Sequence, residues 1–169
     1  MPTIEHHAEF PCSVEWLWDL LTDPHFAPRL APPEMKMELV SGSRRPEVGD
    51  RIVVTTKVVG PLDRTERVVE VADRLREFTE RQTSGSLKSL RHTRRFADRT
   101  GPATEGRPAA AVTDIIDFEP PGGVLGLVLS RTLVTKLATH ALKHRDGVIA
   151  RMLDSLPDNA ESELREPAE

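Results

Sequence analysis

His92, Arg94 and Asp114 are the residues whose types and spacing invite chemistry. The segment SLRHTRRF, Ser89 to Phe96, alternates as a β-strand does. Ser89, Arg91, Thr93 and Arg95 form a polar face directed to water, and Leu90, His92, Arg94 and Phe96 form the inward face. Between Ala109 and Glu119 the more apolar face is Val112, Asp114, Ile116 and Phe118. Antiparallel pairing across the polar linker from Thr100 to Pro108, with Phe96 opposite Val112, sets Arg94 opposite Asp114 and His92 opposite Ile116. An inward Arg beside an inward Asp predicts a charge pair, because an isolated buried charge is strongly destabilising. His92, two residues along the same face, can exchange a hydrogen bond or a proton with a carbonyl or phenol of a bound molecule. Two readings stand side by side. The trio is either the polar anchor of an oily pocket, with His92 the best candidate for acid–base catalysis, or a structural ion pair near the sheet's edge.

Other chemistry-bearing residues point less sharply. His6 shares the inward face of the alternating strand Thr3–Phe10 with Ala8 and Phe10. It either adds a second polar contact or is satisfied by a backbone carbonyl. His140 and His144 lie one helical turn apart, but the residues between them are Ala-Leu-Lys, so the glutamate of a zinc-protease motif is missing and no metal site is expected. The run PPGG before the last helix lacks a phosphate loop's GK[ST] ending and serves as a strand-to-helix turn. Cys12 reads as a small capping-region residue, not a nucleophile. No Ser/His/Asp or Cys/His triad finds a supporting local motif.

The elements that position these residues follow from periodicity. After the first strand, Ser13 is placed to cap a helix over VEWLWDLLTD, which Asp23-Pro24 ends, and Pro24 to Leu30 allows a second short helix. Trp16 and Trp18 lie about 200° apart around that helix, so Trp18 is expected in the core and Trp16 partly exposed. Met35 to Leu39, Arg51 to Val59, Arg64 to Ala72, Leu75 to Thr83, Lys88 to Arg99 and Ala109 to Glu119 read as strands joined mostly by hairpin-length loops. Val128, Leu129, Leu133, Leu137, Ala141, Val148, Met152 and Leu156 then recur at helical spacing over roughly eight turns. The expected fold is α+β: a curved antiparallel sheet of seven strands around a long C-terminal helix, with one or two short helices after the first strand. One domain is expected over residues 1–157, with a polar tail, 158–169, that lacks the apolar groups to order itself.

Composition narrows the function classes. The net charge of −4 and aromatic content of 4%, with no Tyr, argue against a nucleic-acid surface. The basic run KSLRHTRRFADR is split by alternation between two faces. A single cysteine excludes an internal disulfide. No apolar run approaches a membrane span, and the N-terminal MPTIEHHAEF lacks a leader's charged start, so a cytoplasmic location without stable membrane insertion is expected.

Three stretches resemble the START-like helix-grip superfamily (SRPBCC), and within it the bacterial polyketide cyclase/dehydrase and lipid-transport group. They are Phe10-Pro11-Cys12-Ser13 with VEWLWDLLTD, where Trp18 and Asp23 stand at that group's usual Trp and Asp; SLRHTRRF; and TDIIDFEPPGGVLG, Thr113 to Gly126. With the element order, the resemblance covers residues 3 to about 156. One departure is SGSLKSL, where relatives often place a Gly-Pro-Phe and a Trp, which implies a less aromatic cavity here. The resemblance implies a pocket closed by the long helix and holding a hydrophobic small molecule, lipid-like, quinone-like or polyketide-like, without a cofactor. Its ligand-binding candidates are His92, Arg94, Asp114, Leu90, Phe96, Ile116, Phe118 and His6. The alternative it implies is a polyketide cyclase or aromatase promoting ring closure or dehydration. Monomer and homodimer both remain open.

Overall fold

Seven strands, β1 (Thr3–Phe10), β2 (Glu38–Ser41), β3 (Arg51–Thr56), β4 (Asp63–Asp73), β5 (Glu77–Ser84), β6 (Ser89–Asp98) and β7 (Ala110–Glu119), form one antiparallel sheet in a computed structural model. It describes residues 1–58 and 60–156, so the tail expected over 158–169 lies outside the described residues. The sheet order is β1-β7-β6-β5-β4-β3-β2: each strand from β2 to β7 neighbours the next, and β1 closes against β7. The β6–β7 register is the one the alternation predicts, with His92 opposite Ile116, Arg94 opposite Asp114 and Phe96 opposite Val112. On the other side of β7, His6 faces Asp114.

Between β1 and β2 lie α1 (Val14–Thr22), α2 (Ala27–Leu30) and a short 3-10 turn, Pro33–Met35. Ser13 caps α1 as expected, its hydroxyl accepting from the Trp16 backbone N–H. Trp16 corrects the expectation of a partly exposed side chain: it is buried in the same cluster as Trp18. The reason is that α1 is enclosed on several sides and packs with Phe78 and Phe96 of the sheet and with Val148, Met152 and Leu153 of the C-terminal helix. The solvent side of α1 is left to Glu15 and Asp19, one turn apart, and Trp16 is covered.

The C-terminal helix is broken in two. A short α3 (Gly123–Val128) precedes α4 (Arg131–Ser155), with Leu129 and Ser130 between them. Ser130 starts α4, its hydroxyl accepting from the Leu133 N–H. The uninterrupted apolar spacing through Val128 hid this break.

Two apolar clusters fill the interior. The larger joins α1 and the C-terminal half of α4 to the sheet around Phe78, Phe96 and Val112. The smaller gathers Ile4, Ile116, Phe118 and Leu142, with Leu87, Leu90, Val134 and Ala138 packed on them. The outer face of the sheet carries ion pairs such as Glu70 with Arg81 and Arg91, and Glu77 with Arg95. Thr93, expected to face water, is buried on that face, where Thr79 donates to it at 3.1 Å, so a polar face is not everywhere a wet one.

Candidate ligand site

The inward polar residues form a continuous chain of alternating charge across the sheet. It begins on β4 with Arg67, whose Nη1 lies 3.9 Å from Glu80 Oε2 on β5. Arg94 of β6 donates from Nη1 to the same oxygen at 3.0 Å, and its Nε lies 3.8 Å from Asp114 Oδ1 on β7. Asp114 Oδ1 also sits 2.8 Å from His92 Nε2. Arg145 of α4 brings Nη2 to 2.8 Å from Asp114 Oδ2, an ion pair that is not aligned as a hydrogen bond. The same guanidinium donates to Asp146 Oδ1 at 2.9 and 3.1 Å. Asp146 Oδ2 in turn meets His6 Nε2 at 2.5 Å.

The expected Arg94–Asp114 pair is thus present but secondary, because Glu80 is the closer partner of Arg94 and Asp114 is shared by His92 and Arg145. His6 is satisfied by Asp146 and not by a backbone carbonyl. His140, exposed on α4, meets Glu34 at 2.7 Å.

Burial and charge compete at each of these groups. Burial pushes the Asp114 and Glu80 carboxyls up, but it is overruled: the His92 hydrogen bond and Arg145 hold Asp114 well below the usual carboxylate range, and Arg94 and Arg67 hold Glu80 below it. Burial would lower Arg145, yet Asp114 holds it above its ordinary value. His92 is lowered, first by burial and then by Arg94, despite its bond to Asp114. A neutral His92 beside a carboxylate carries its proton on Nε2 and donates it to Asp114, which leaves Nδ1 as the basic nitrogen of the ring.

This chain forms one wall of a cavity of about 220 Å³ between the sheet, the α1–α2 region and α4. Arg67, Glu80, His92, Arg94 and Arg145 supply the polar wall. Leu20, Leu30, Met37, Val54, Ile116 and Leu142 are among its apolar lining, which contains no Phe or Trp. The Nε atoms of Arg67 and Arg94 are buried without a hydrogen-bond partner. The remaining candidates stand back from the cavity: Asp114 lies behind His92 and Arg145, Phe96 packs against Trp18, and Leu90 and Phe118 belong to the smaller cluster. A larger depression of about 490 Å³, between Glu9–Pro11 and the β6–β7 loop, holds none of the ion-chain residues.

Glu80, Arg67 and Arg145 were missed in the sequence. Glu80 was within reach: on β5 it shares a face with Phe78, which is apolar and must point inward. Arg145 gave no such signal, because LKHRD reads as a solvated helix face.

A curved seven-stranded sheet gripping a long C-terminal helix, with a cavity between them, defines the START-like helix-grip class. The chain belongs to the polyketide cyclase/dehydrase and lipid transport family, whose model matches residues 1–161. No curated protein matches it in sequence. Among solved structures it is similar to a START superfamily protein from Mycobacterium smegmatis, at 16% identity and TM-score 0.67, over 92% of this chain and 99% of that one. The Zhui aromatase/cyclase from a Streptomyces species is similar at 13% identity and TM-score 0.65, over 90% and 93% of the two chains. A norcoclaurine synthase point mutant from Thalictrum flavum, solved with a transition-state analogue, aligns at 15% identity and TM-score 0.62, over 91% and 96%. At these identities the likeness establishes the shared fold.

Proposed function

We propose that the chain binds an apolar small molecule carrying one hydrogen-bond-accepting group, a carbonyl, phenolate or carboxylate. The observation that carries this reading is the cavity's two-sided character. Its apolar walls favour an oily body, and the Arg67, Arg94 and Arg145 side chains with His92 in its lining favour an acceptor at the polar wall. Lipid-like, quinone-like and polyketide-like molecules share that description, and the family's name fits it. The aromatase/cyclase among the similar structures fits it as well.

A second reading rests on His92. A neutral imidazole oriented by Asp114 at a cavity wall is arranged to take a proton from an acidic carbon or hydroxyl, as ring closure or dehydration of a polyketide requires. In that reading Asp114 is a positioning residue, and the cavity contributes by folding the chain into a reactive geometry.

The deciding experiment is native mass spectrometry of the purified full chain, followed by displacement of anilinonaphthalene sulfonate by whatever co-purifies. A guest that displaces the probe from wild type, but at least about tenfold less well from Arg67→Met, supports binding at this wall. Equal displacement from both proteins refutes it. His92→Gln separates the two readings: a carrier loses little, whereas an enzyme keeps affinity and loses turnover of a poly-β-ketone substrate.

A further inference from the structure

We infer that α3 and the start of α4 dock the protein reversibly on the surface of a bilayer rich in anionic phospholipids. The surface is distinct from the cavity and does not depend on what the cavity holds. Of the large apolar side chains left in solvent, Val124, Leu125, Leu127 and Val128 all lie on α3, with Val124 80% and Leu127 82% exposed. Four such groups on six residues form a patch of the kind that marks an interaction surface. The β3–β4 hairpin, which carries exposed Val58 and Leu62, lies at the same end of the sheet as the β7–α3 turn.

Charge selects the occupant. The molecule is acidic overall, yet no Asp or Glu stands between Glu119 and Asp146, whereas Arg131, Lys136 and Lys143 are exposed there. Of the acidic groups near this stretch, Glu119 is paired with Lys88 at 2.6 Å, and Glu34 meets His140 at 2.7 Å. An apolar knuckle followed by a helix whose exposed charged side chains up to Lys143 are all basic suits an interface where acyl chains lie beneath negative headgroups. A second copy meeting the same patch across a two-fold axis would bring these cations together, which disfavours it. No described helix is long and apolar enough to cross a membrane, so the contact is shallow and in the plane of the surface.

The test is vesicle flotation of the full chain, using phosphatidylcholine alone or mixed with phosphatidylglycerol. Wild type is expected to float with the mixed vesicles, to be released by salt, and to ignore phosphatidylcholine alone. Leu127→Glu is expected to weaken flotation about tenfold, and the pair Arg131→Gln and Lys136→Gln by about tenfold or more. Both variants change exposed side chains, so an unchanged thermal midpoint confirms that the fold is intact. Absence of flotation, equal flotation with both vesicles, or insensitivity to Leu127→Glu overturns the inference. So does a dimer in size-exclusion chromatography that Leu127→Glu converts to monomer.

Discussion

Arg145 reaches from α4 to Asp114 on β7, its Nη2 2.8 Å from the Asp114 Oδ2 oxygen. Both residues are buried, so this charge pair fastens the long helix to β7, the strand beside the β1 edge, next to the His6–Asp146 contact. Replacing Asp114 with Asn leaves the Arg145 charge buried against a weaker partner and removes the acceptor for His92. The expected loss is about 3–5 kcal/mol of stability, read as a lower urea midpoint. Adding Arg145→Met to Asp114→Asn is expected to recover part of that loss, because the buried charge that has lost one of its two carboxylate partners goes with it. A double variant no more stable than the single one would show that the pair does not act as a unit.

Acid is expected to destabilise the fold in two stages. His92 has its protonation depressed by burial, and Asp114 and Glu80 are held below their usual range by the bases around them. Each group therefore binds fewer protons folded than unfolded, and stability rises with pH across each window. The His92 contribution is complete above pH ~6.5 and fades below it, and the carboxylate contributions fade below pH ~4. Thermal midpoints measured from pH 8 to pH 3 should fall gently, then steeply. His92→Gln should abolish the gentle part alone.

Ala141 lines the cavity from the helix side. Changing it to Phe places a ring in space that a guest would occupy, with room to accept it. Affinity for a co-purifying guest or for anilinonaphthalene sulfonate is expected to fall at least about tenfold, with stability changed by no more than about 1 kcal/mol. Unchanged affinity would place the ligand elsewhere.

Gly126 permits the tight approach of α3 to the chain before it. A Cβ there would stand 2.2 Å from the Pro121 carbonyl oxygen, so Gly126→Ala must displace backbone. The exposed α3 should loosen without disturbing the core. Hydrogen exchange is expected to quicken over residues 123–128 while the thermal midpoint moves by no more than a few degrees. A large drop in the midpoint would show that α3 carries more of the fold than its exposure suggests.

Strand alternation made His92 and Arg94 of the polar wall legible. The period of two set His92 and Arg94 on one face, and a register with Phe96 opposite Val112, which the structure has, put Asp114 opposite Arg94. What alternation does not determine is which partner wins once several charges share a space. Glu80 comes from the neighbouring strand and Arg145 from a helix distant in sequence, and their proximity is a product of tertiary packing. The Trp16 expectation failed for a related reason: a helical wheel assigns one buried side, whereas α1 is covered from several directions. The break at Leu129–Ser130 left the apolar spacing intact, and Ser130 as a helix cap was the local sign of it.

Burial along α4 is uneven, and that has a mechanical consequence. Leu142, Arg145 and Ile149 are enclosed, whereas the turns from Arg131 to Leu137 keep their apolar side chains only partly covered. The rod is clamped towards one end and behaves as a cantilever. Opening at its first turns, held by Val134 and Ala138, would break fewer contacts than release of the end packed with Trp16 and Trp18, and would leave the larger cluster intact.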